Sequence, residues 1–182
     1  MYFAIFSKIV SGNIPCCFDF RFFFFGNYGW AGCICWNRIE AEKLGLPKPT
    51  TWADLTNPVY KGHISMPNPA SSGTGFLDVS SWIQLWGEEN AWQYMDALYE
   101  NIGIFTHSGS KPCKQAGSGE FTIGISWPGR AIKIIKAGAP IDMIIPEEGV
   151  GWEMQVVAIL TGTDIIDHLR MAKFPTTGQK GT

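Results

Sequence analysis

The chain has 182 residues, 46% of them hydrophobic and 14% aromatic, which supplies a buried core and excludes a disordered segment. Its formal charge is -2 and its 14 basic residues are scattered, so it lacks the basic footprint that nucleic acid or an anionic membrane surface requires. A charged fraction of only 16% fits elements buried on several sides, as in a layered α/β fold.

The N-terminal apolar runs, Ile14 to Phe18 and Phe22 to Phe25, are broken by Asp19 and Arg21 before either reaches the length of a membrane span. Lys8 is the only cation ahead of them, and no small-residue cleavage pattern follows a continuous apolar stretch, so no clear signal peptide is read. The five cysteines, Cys16, Cys17, Cys33, Cys35 and Cys113, are odd in number and have neither Cys-x-x-Cys spacing nor a histidine at a ligand-like offset. Neither a zinc site nor a designed disulfide framework is expected from them, and they assign no compartment.

Tyr28 to Asn37 is apolar and reads as a buried strand. Arg38 to Leu44 reads as a short helix stopped by Gly45, Pro47 and Pro49. Thr51 to Asp54 has capping-box form and starts another helical turn. His63 to Met66 is a short strand, and Phe76, Val79, Ile83 and Trp86 recur at helical spacing, so a helix begins within Ser71 to Thr74 and ends at Gly87. A second helix follows from about Glu88 to Asn101, with Ala91, Met95, Leu98 and Ile102 on one face.

The same strand, loop and helix order then recurs. Ile102 to Thr106 is a strand, His107 to Ser110 a loop, and a short helix begins near Lys111 and Pro112. Phe121 to Ser126 is a strand, Arg130 to Ala137 a helix and Ile141 to Ile145 a strand. Pro146 to Gly151 is a glycine-rich turn before a last strand from Trp152 to Leu160. Strands alternating with helices indicate a mostly parallel sheet flanked by helices.

Ser71, Ser72, Gly73 and Thr74 offer an oxyanion two kinds of donor, hydroxyls and the unpaired N–H groups of a helix's first turn. An ordinary helix cap uses the same residues, so this segment alone does not decide. Ser108, Gly109 and Ser110 occupy the equivalent place after another strand, where ligands collect in parallel sheets, and the two loops together favour an anion site. Of the cations near these turns, Lys111, Arg130 and Lys133, each reads on its own as a solvated surface charge; Arg130, after the break at Ser126 to Gly129, is retained as a candidate for a phosphonate or phosphate.

Trp127 and Trp152 are candidates to cover an ammonium group, with Glu153 as its counter-charge, although core packing explains a tryptophan equally well. A thiol nucleophile at Cys113 with His107 lacks an orienting third group. The Ser108 to Lys111 string matches Ser-x-x-Lys of penicillin-recognising enzymes, but the companion Ser-Asp-Asn and Lys-Thr-Gly strings are missing. No catalysis, no cofactor and no metal are therefore expected.

Several ordered segments carry a family likeness: Trp52 to Thr56, Tyr60 to Gly62, Met66 to Phe76, Thr106 to Cys113, Gly119 to Ser126 and Glu148 to Trp152. Together they resemble the periplasmic solute-binding proteins of ABC transporters, with the 2-aminoethylphosphonate-binding group, related to ferric-iron binders, as the nearest likeness. The resemblance spans about Tyr28 to Thr163. It implies one lobe of a type II periplasmic-binding-protein fold with hinge strands, closure of two lobes over a ligand, and delivery to a membrane permease.

It also implies that Ser71, Ser72, Gly73 and Thr74 hold the phosphonate, with Ser108, Gly109 and Ser110 as the second loop. Arg130, Trp152 and Glu153 are added by inference from their own chemistry. The tyrosines, Tyr2, Tyr28, Tyr60, Tyr94 and Tyr99, include no adjacent pair of the kind iron-binding relatives use, which favours an organic anion over ferric ion. Ferric ion or another small anion is the alternative ligand, and a serine or cysteine hydrolase the alternative class.

The expected organisation is an unmatched segment 1–27, a hinge strand 28–37, a ligand-binding lobe 38–148, a return hinge strand 149–163 and an irregular tail 164–182. The chain is expected to be a truncated or frameshifted reading frame, monomeric, periplasmic by resemblance, and partnered by a small phosphonate or phosphate and a permease.

Overall fold

The computed structural model describes residues 24–158. The reading of the N-terminal apolar runs through Phe22 and of the tail beyond Thr163 lies outside them. Tyr28–Gln155 forms one compact unit. In chain order the elements are β1 (Phe24–Ala31), β2 (Cys33–Asn37), α1 (Arg38–Leu44), β3 (Ile64–Pro67), α2 (Gly73–Trp86), α3 (Glu88–Tyr99), β4 (Ile102–Thr106), α4 (Lys111–Ser118), β5 (Ile123–Ser126), α5 (Pro128–Lys136), β6 (Ile141–Ile144) and β7 (Trp152–Ala158), with 3-10 turns at Ala53–Thr56 and Pro58–Tyr60.

Five strands form a sheet in the order β4-β3-β5-β2-β6, and β1 pairs with β7 in a separate ribbon. β3 is parallel to both β4 and β5, whereas β2 is antiparallel to β5 and β6. Four strands therefore share one direction, and β2 alone is reversed. The stretch expected as a single strand is broken at Gly32, whose N–H donates to Gly151 O at 3.1 Å. A Cβ at Gly32 would lie 2.5 Å from Asp78 Oδ1, and one at Gly151 would lie 2.7 Å from Ser81 Cβ. Glycine at both places lets the two chain crossings lie directly on α2.

The sheet is covered on both faces, which explains why β2 is buried at every position. Ile34 and Trp36 point to one side and join Ile64, Met66, Ile123 and Ile125 under Trp52, Leu55 and Trp82. The aromatic groups there meet edge to face: Trp52 and Trp82 centroids are 5.3 Å apart and Trp82 and Tyr94 5.1 Å apart. Tyr94 donates its hydroxyl to Trp52 O at 3.1 Å. α3 presents Ala91, Met95, Leu98 and the following Ile102 to this core, the face read from its spacing. Of the face read for α2, Val79, Ile83 and Trp86 pack against this core together with the buried Trp82, whereas Phe76 is 64% exposed; Asp78 and Ser81 are buried where Gly32 and Gly151 pack on the helix.

On the opposite face Cys33 and Cys35 pack with Cys113, Ala116, Ala131 and Ile141. Cys35, Gly124 and Ser65 stand side by side across β2, β5 and β3, a row of small residues beneath α4. A Cβ on Gly124 would approach Cys113 N to 2.9 Å, so the helix backbone rests on the sheet itself. Ser65 Oγ donates to Gln115 Oε1 at 2.8 Å, and Cys35 is joined to Cys113 by a disulfide. That bridge was not expected from the cysteine count, since its partners are 78 residues apart and meet only through the sheet.

The capping box is present in reciprocal form: Asp54 N–H donates to Thr51 Oγ1 at 3.0 Å, and Thr51 N–H to Asp54 Oδ2 at 3.0 Å. The N–H of Thr50 bonding to the same carboxylate is the largest cause holding Asp54 below the ordinary carboxylate range. Glu148, from the glycine-rich turn, accepts from Trp52 N and Ala53 N at 2.9 and 3.1 Å, docking that turn onto the core.

Candidate functional site

The sheet places β4, β3 and β5 side by side and parallel, so the loops at their carboxyl ends emerge along one edge. Pro67 ends β3, and Asn68 shapes the loop: its carbonyl accepts from Ser71 N and Ser72 N, and its Oδ1 from Ala70 N at 2.8 Å. Gly75 packs against the end of β3, where a Cβ would lie 2.5 Å from Pro67 O. Ser72 is the N-cap of α2 yet its side chain makes no capping hydrogen bond. The first-turn N–H groups of a 14-residue helix are thus left for another acceptor.

The second loop is tied to the first and to the third. Asn68 N–H donates to Thr106 O at 2.8 Å, and Ser71 Oγ lies 2.9 Å from His107 Nδ1. Gly109 sits against Thr74 and Ser72, with a Cβ there falling 2.7 Å from Thr74 Cβ and 3.2 Å from Ser72 Oγ. From β5, Ser126 Oγ donates to Gly109 O at 2.6 Å, and Trp127 Nε1 donates to Ser110 Oγ at 3.1 Å. These contacts border an open cleft of about 460 Å³, within the usual range for a small-molecule site.

Ser71, Ser72, Gly73, Thr74, Gly109 and Ser110 line it. Ser108, expected beside them, acts within the loop: its carbonyl accepts from Thr106 Oγ1 at 2.9 Å and its Oγ from Ser110 N at 3.3 Å. Arg130 lies on α5 with a buried Nε that has no hydrogen-bond partner, and it is not among the lining residues. Trp152 and Glu153 lie exposed on β7 and are not among them either. Trp127, a candidate to cover an ammonium group, lines it too, and three lining residues stood outside the expected ones: Trp30, His107 and Gln155. His107 and Trp127 sit in segments already singled out, whereas Trp30 and Gln155 enter through strand positions that carry no local signal.

Among the described residues no carboxylate lines the cavity, and the polar groups they bring to it are hydroxyls, N–H groups, an amide and an imidazole. Such a lining suits an anion. Beneath it, one turn into α2, Asp78 is 1% exposed with neither oxygen hydrogen-bonded, and burial raises its carboxyl well above the ordinary range. Burial also pushes the Cys33 thiol up, with the charge of Asp78 adding to the effect. Cys113 is bonded to Cys35 and so has no thiol to offer a nucleophilic mechanism. Tyr60 and Tyr94 donate to Pro47 O and Trp52 O from the core, and neither lines the cavity. Among the described residues no group of three or more His, Cys, Asp or Glu is placed to hold a metal.

Residues 28–169 match the model of a family described as bacterial extracellular solute-binding protein. The chain belongs to that family. A protein of Haemophilus influenzae with no characterised activity is 35% identical over 136 residues, covering 74% of this chain and 39% of its own length. The spermidine/putrescine-binding periplasmic protein of Escherichia coli is 30% identical over 128 residues, 66% of this chain and 36% of its own. Among solved structures, the periplasmic binding protein AfuA from Actinobacillus pleuropneumoniae, with fructose-6-phosphate bound, superposes with a TM-score of 0.74 at 36% identity. That match takes in 81% of this chain and 47% of AfuA. The chain spans less than half the length of these relatives, and its α/β fold is a partial lobe of theirs.

Proposed function

We propose that this solute-binding chain serves an ABC transporter by capturing a small phosphonate, 2-aminoethylphosphonate first among them, between two lobes in the periplasm and handing it to the permease without chemical change. The observation that carries the reading is the convergence of two hydroxyl-bearing loops and an uncapped helix start on one cavity. A tetrahedral oxyanion fits it: N–H groups of α2 and the hydroxyls of Ser72, Thr74 and Ser110 supply donors with no counter-ion to displace. The indoles of Trp30 and Trp127 beside them offer faces on which an aminoethyl ammonium gains cation-π attraction.

A sugar phosphate is the second reading, favoured by the fructose-6-phosphate held in AfuA. It shares the anionic head and differs in the polyol tail. A polyamine, as in the name of the Escherichia coli relative, is disfavoured by a lining without carboxylates.

Titration calorimetry on the chain with 2-aminoethylphosphonate, fructose 6-phosphate, spermidine and ferric citrate tests the assignment. Binding of a phosphonate or phosphate, lost in the Thr74→Val variant, is expected. Binding of spermidine or ferric ion alone, or of none of the four to folded protein, overturns it.

A further inference from the structure

Ser71 and His107 both line the cavity, and the 2.9 Å separation of Ser71 Oγ from His107 Nδ1 admits two hydrogen arrangements. When Nδ1 carries no proton it accepts the serine hydroxyl hydrogen, which is then spent on the imidazole. When Nδ1 is protonated its N–H donates to Oγ, and the hydroxyl hydrogen is free to turn toward a bound oxyanion. An imidazolium allows only the second arrangement and adds a positive charge at the cavity wall.

We propose that His107 takes up a proton from solvent as the anion binds and thereby converts Ser71 into a donor to it. The inference rests on the reading of the cavity as an anion site. Histidine is the side chain suited to this, because imidazole changes charge between roughly pH 5 and pH 8. The charged groups on the surrounding elements are Asp78 on α2, Lys111 and Lys114 on α4, Arg130, Lys133 and Lys136 on α5, and Glu153 on β7. Among the described residues none of them lines the cavity, and a protonated His107 places a positive charge at its wall.

Solute capture is then proton-linked: affinity rises as pH falls, and binding consumes protons. Calorimetry of 2-aminoethylphosphonate binding to the whole chain, in two buffers of different protonation enthalpy and at about pH 6 and about pH 8, reads both quantities. Since the phosphonate itself titrates in this range, the His107→Gln variant gives its contribution for subtraction. Wild-type protein is expected to gain about three- to tenfold more affinity than this variant on going to the lower pH, with additional proton uptake. Ser71→Ala is expected to lose more affinity at the lower pH than at the higher, where its hydroxyl is committed to the imidazole. The ring C2 proton of His107, followed by NMR, is expected to titrate at higher pH with ligand than without.

Binding with equal proton uptake in wild type and His107→Gln, or an unmoved His107 titration, overturns the proton link while leaving the anion site standing. Absence of binding by both proteins at both pH values overturns the anion site and the link together.

Discussion

Replacing both bridged cysteines, Cys35→Ala with Cys113→Ala, is expected to remove a large share of the stability of the lobe. The bridge closes a loop of 78 residues between β2 and α4. The chain-entropy relation for a loop of that length gives an entropy of about 15 cal/mol/K, or about 4.5 kcal/mol at 25 °C. Residual order in the unfolded chain lowers this, and the loss of two sulfur atoms from a site with no exposure adds to it. A decrease of about 3 to 5 kcal/mol is therefore expected, against a total of about 5 to 15 kcal/mol for ordinary domains.

Urea unfolding followed by tryptophan fluorescence measures the change. The dependence on urea should also steepen in the double variant, because the unfolded chain without its cross-link exposes more surface. Removing both sulfurs avoids leaving a free Cys35 near the buried Cys33. A loss below about 1 kcal/mol with an unchanged urea dependence would refute the reasoning, showing that the bridge restrains nothing that the sheet does not already hold.

Gly109→Ala is expected to abolish or weaken anion binding by at least about tenfold, because the new methyl group meets Thr74 and Ser72 and parts the two loops. Calorimetry beside an unchanged far-ultraviolet circular dichroism spectrum checks it. Asp78→Asn is expected to flatten the pH dependence of thermal unfolding. With its folded value raised by burial, Asp78 contributes its full stability below the ordinary carboxylate value of 3.8 and loses it as pH climbs toward the folded value. The wild-type melting temperature should therefore fall relative to the variant as pH is raised through that window.

Much of this arrangement could be read from the chain. Helix punctuation was explicit: Gly87 after Trp86, Pro112 at the start of α4, and the Thr51 and Asp54 pair placed a boundary each. The two loops of the site were visible because hydroxyls and glycine recurred at the same place, between a strand and a helix, in two successive units. What escaped depended on long-range geometry. The reversal of β2 has no local signature, since a strand buried on both faces reads alike in either direction.

The Cys35–Cys113 bridge needed the Cys35, Gly124 and Ser65 row to bring α4 onto the sheet. The burial of Asp78 in place of Phe76 required knowing that Gly32 and Gly151 cross over α2. Trp30 and Gln155 reach the cavity from the strands of the separate ribbon, at a distance in sequence from every loop that contributes to it.

The row of small residues under α4 has a consequence for how such a site changes. Cys35, Gly124 and Ser65 fix how deeply that helix settles, and the helix carries at its N-terminus the loop whose Gly109 and Ser110 line the cavity. The calibre of the cavity is therefore adjustable from beneath. A larger side chain at position 124 would raise the helix and its loop together, altering what fits without changing one atom that touches it.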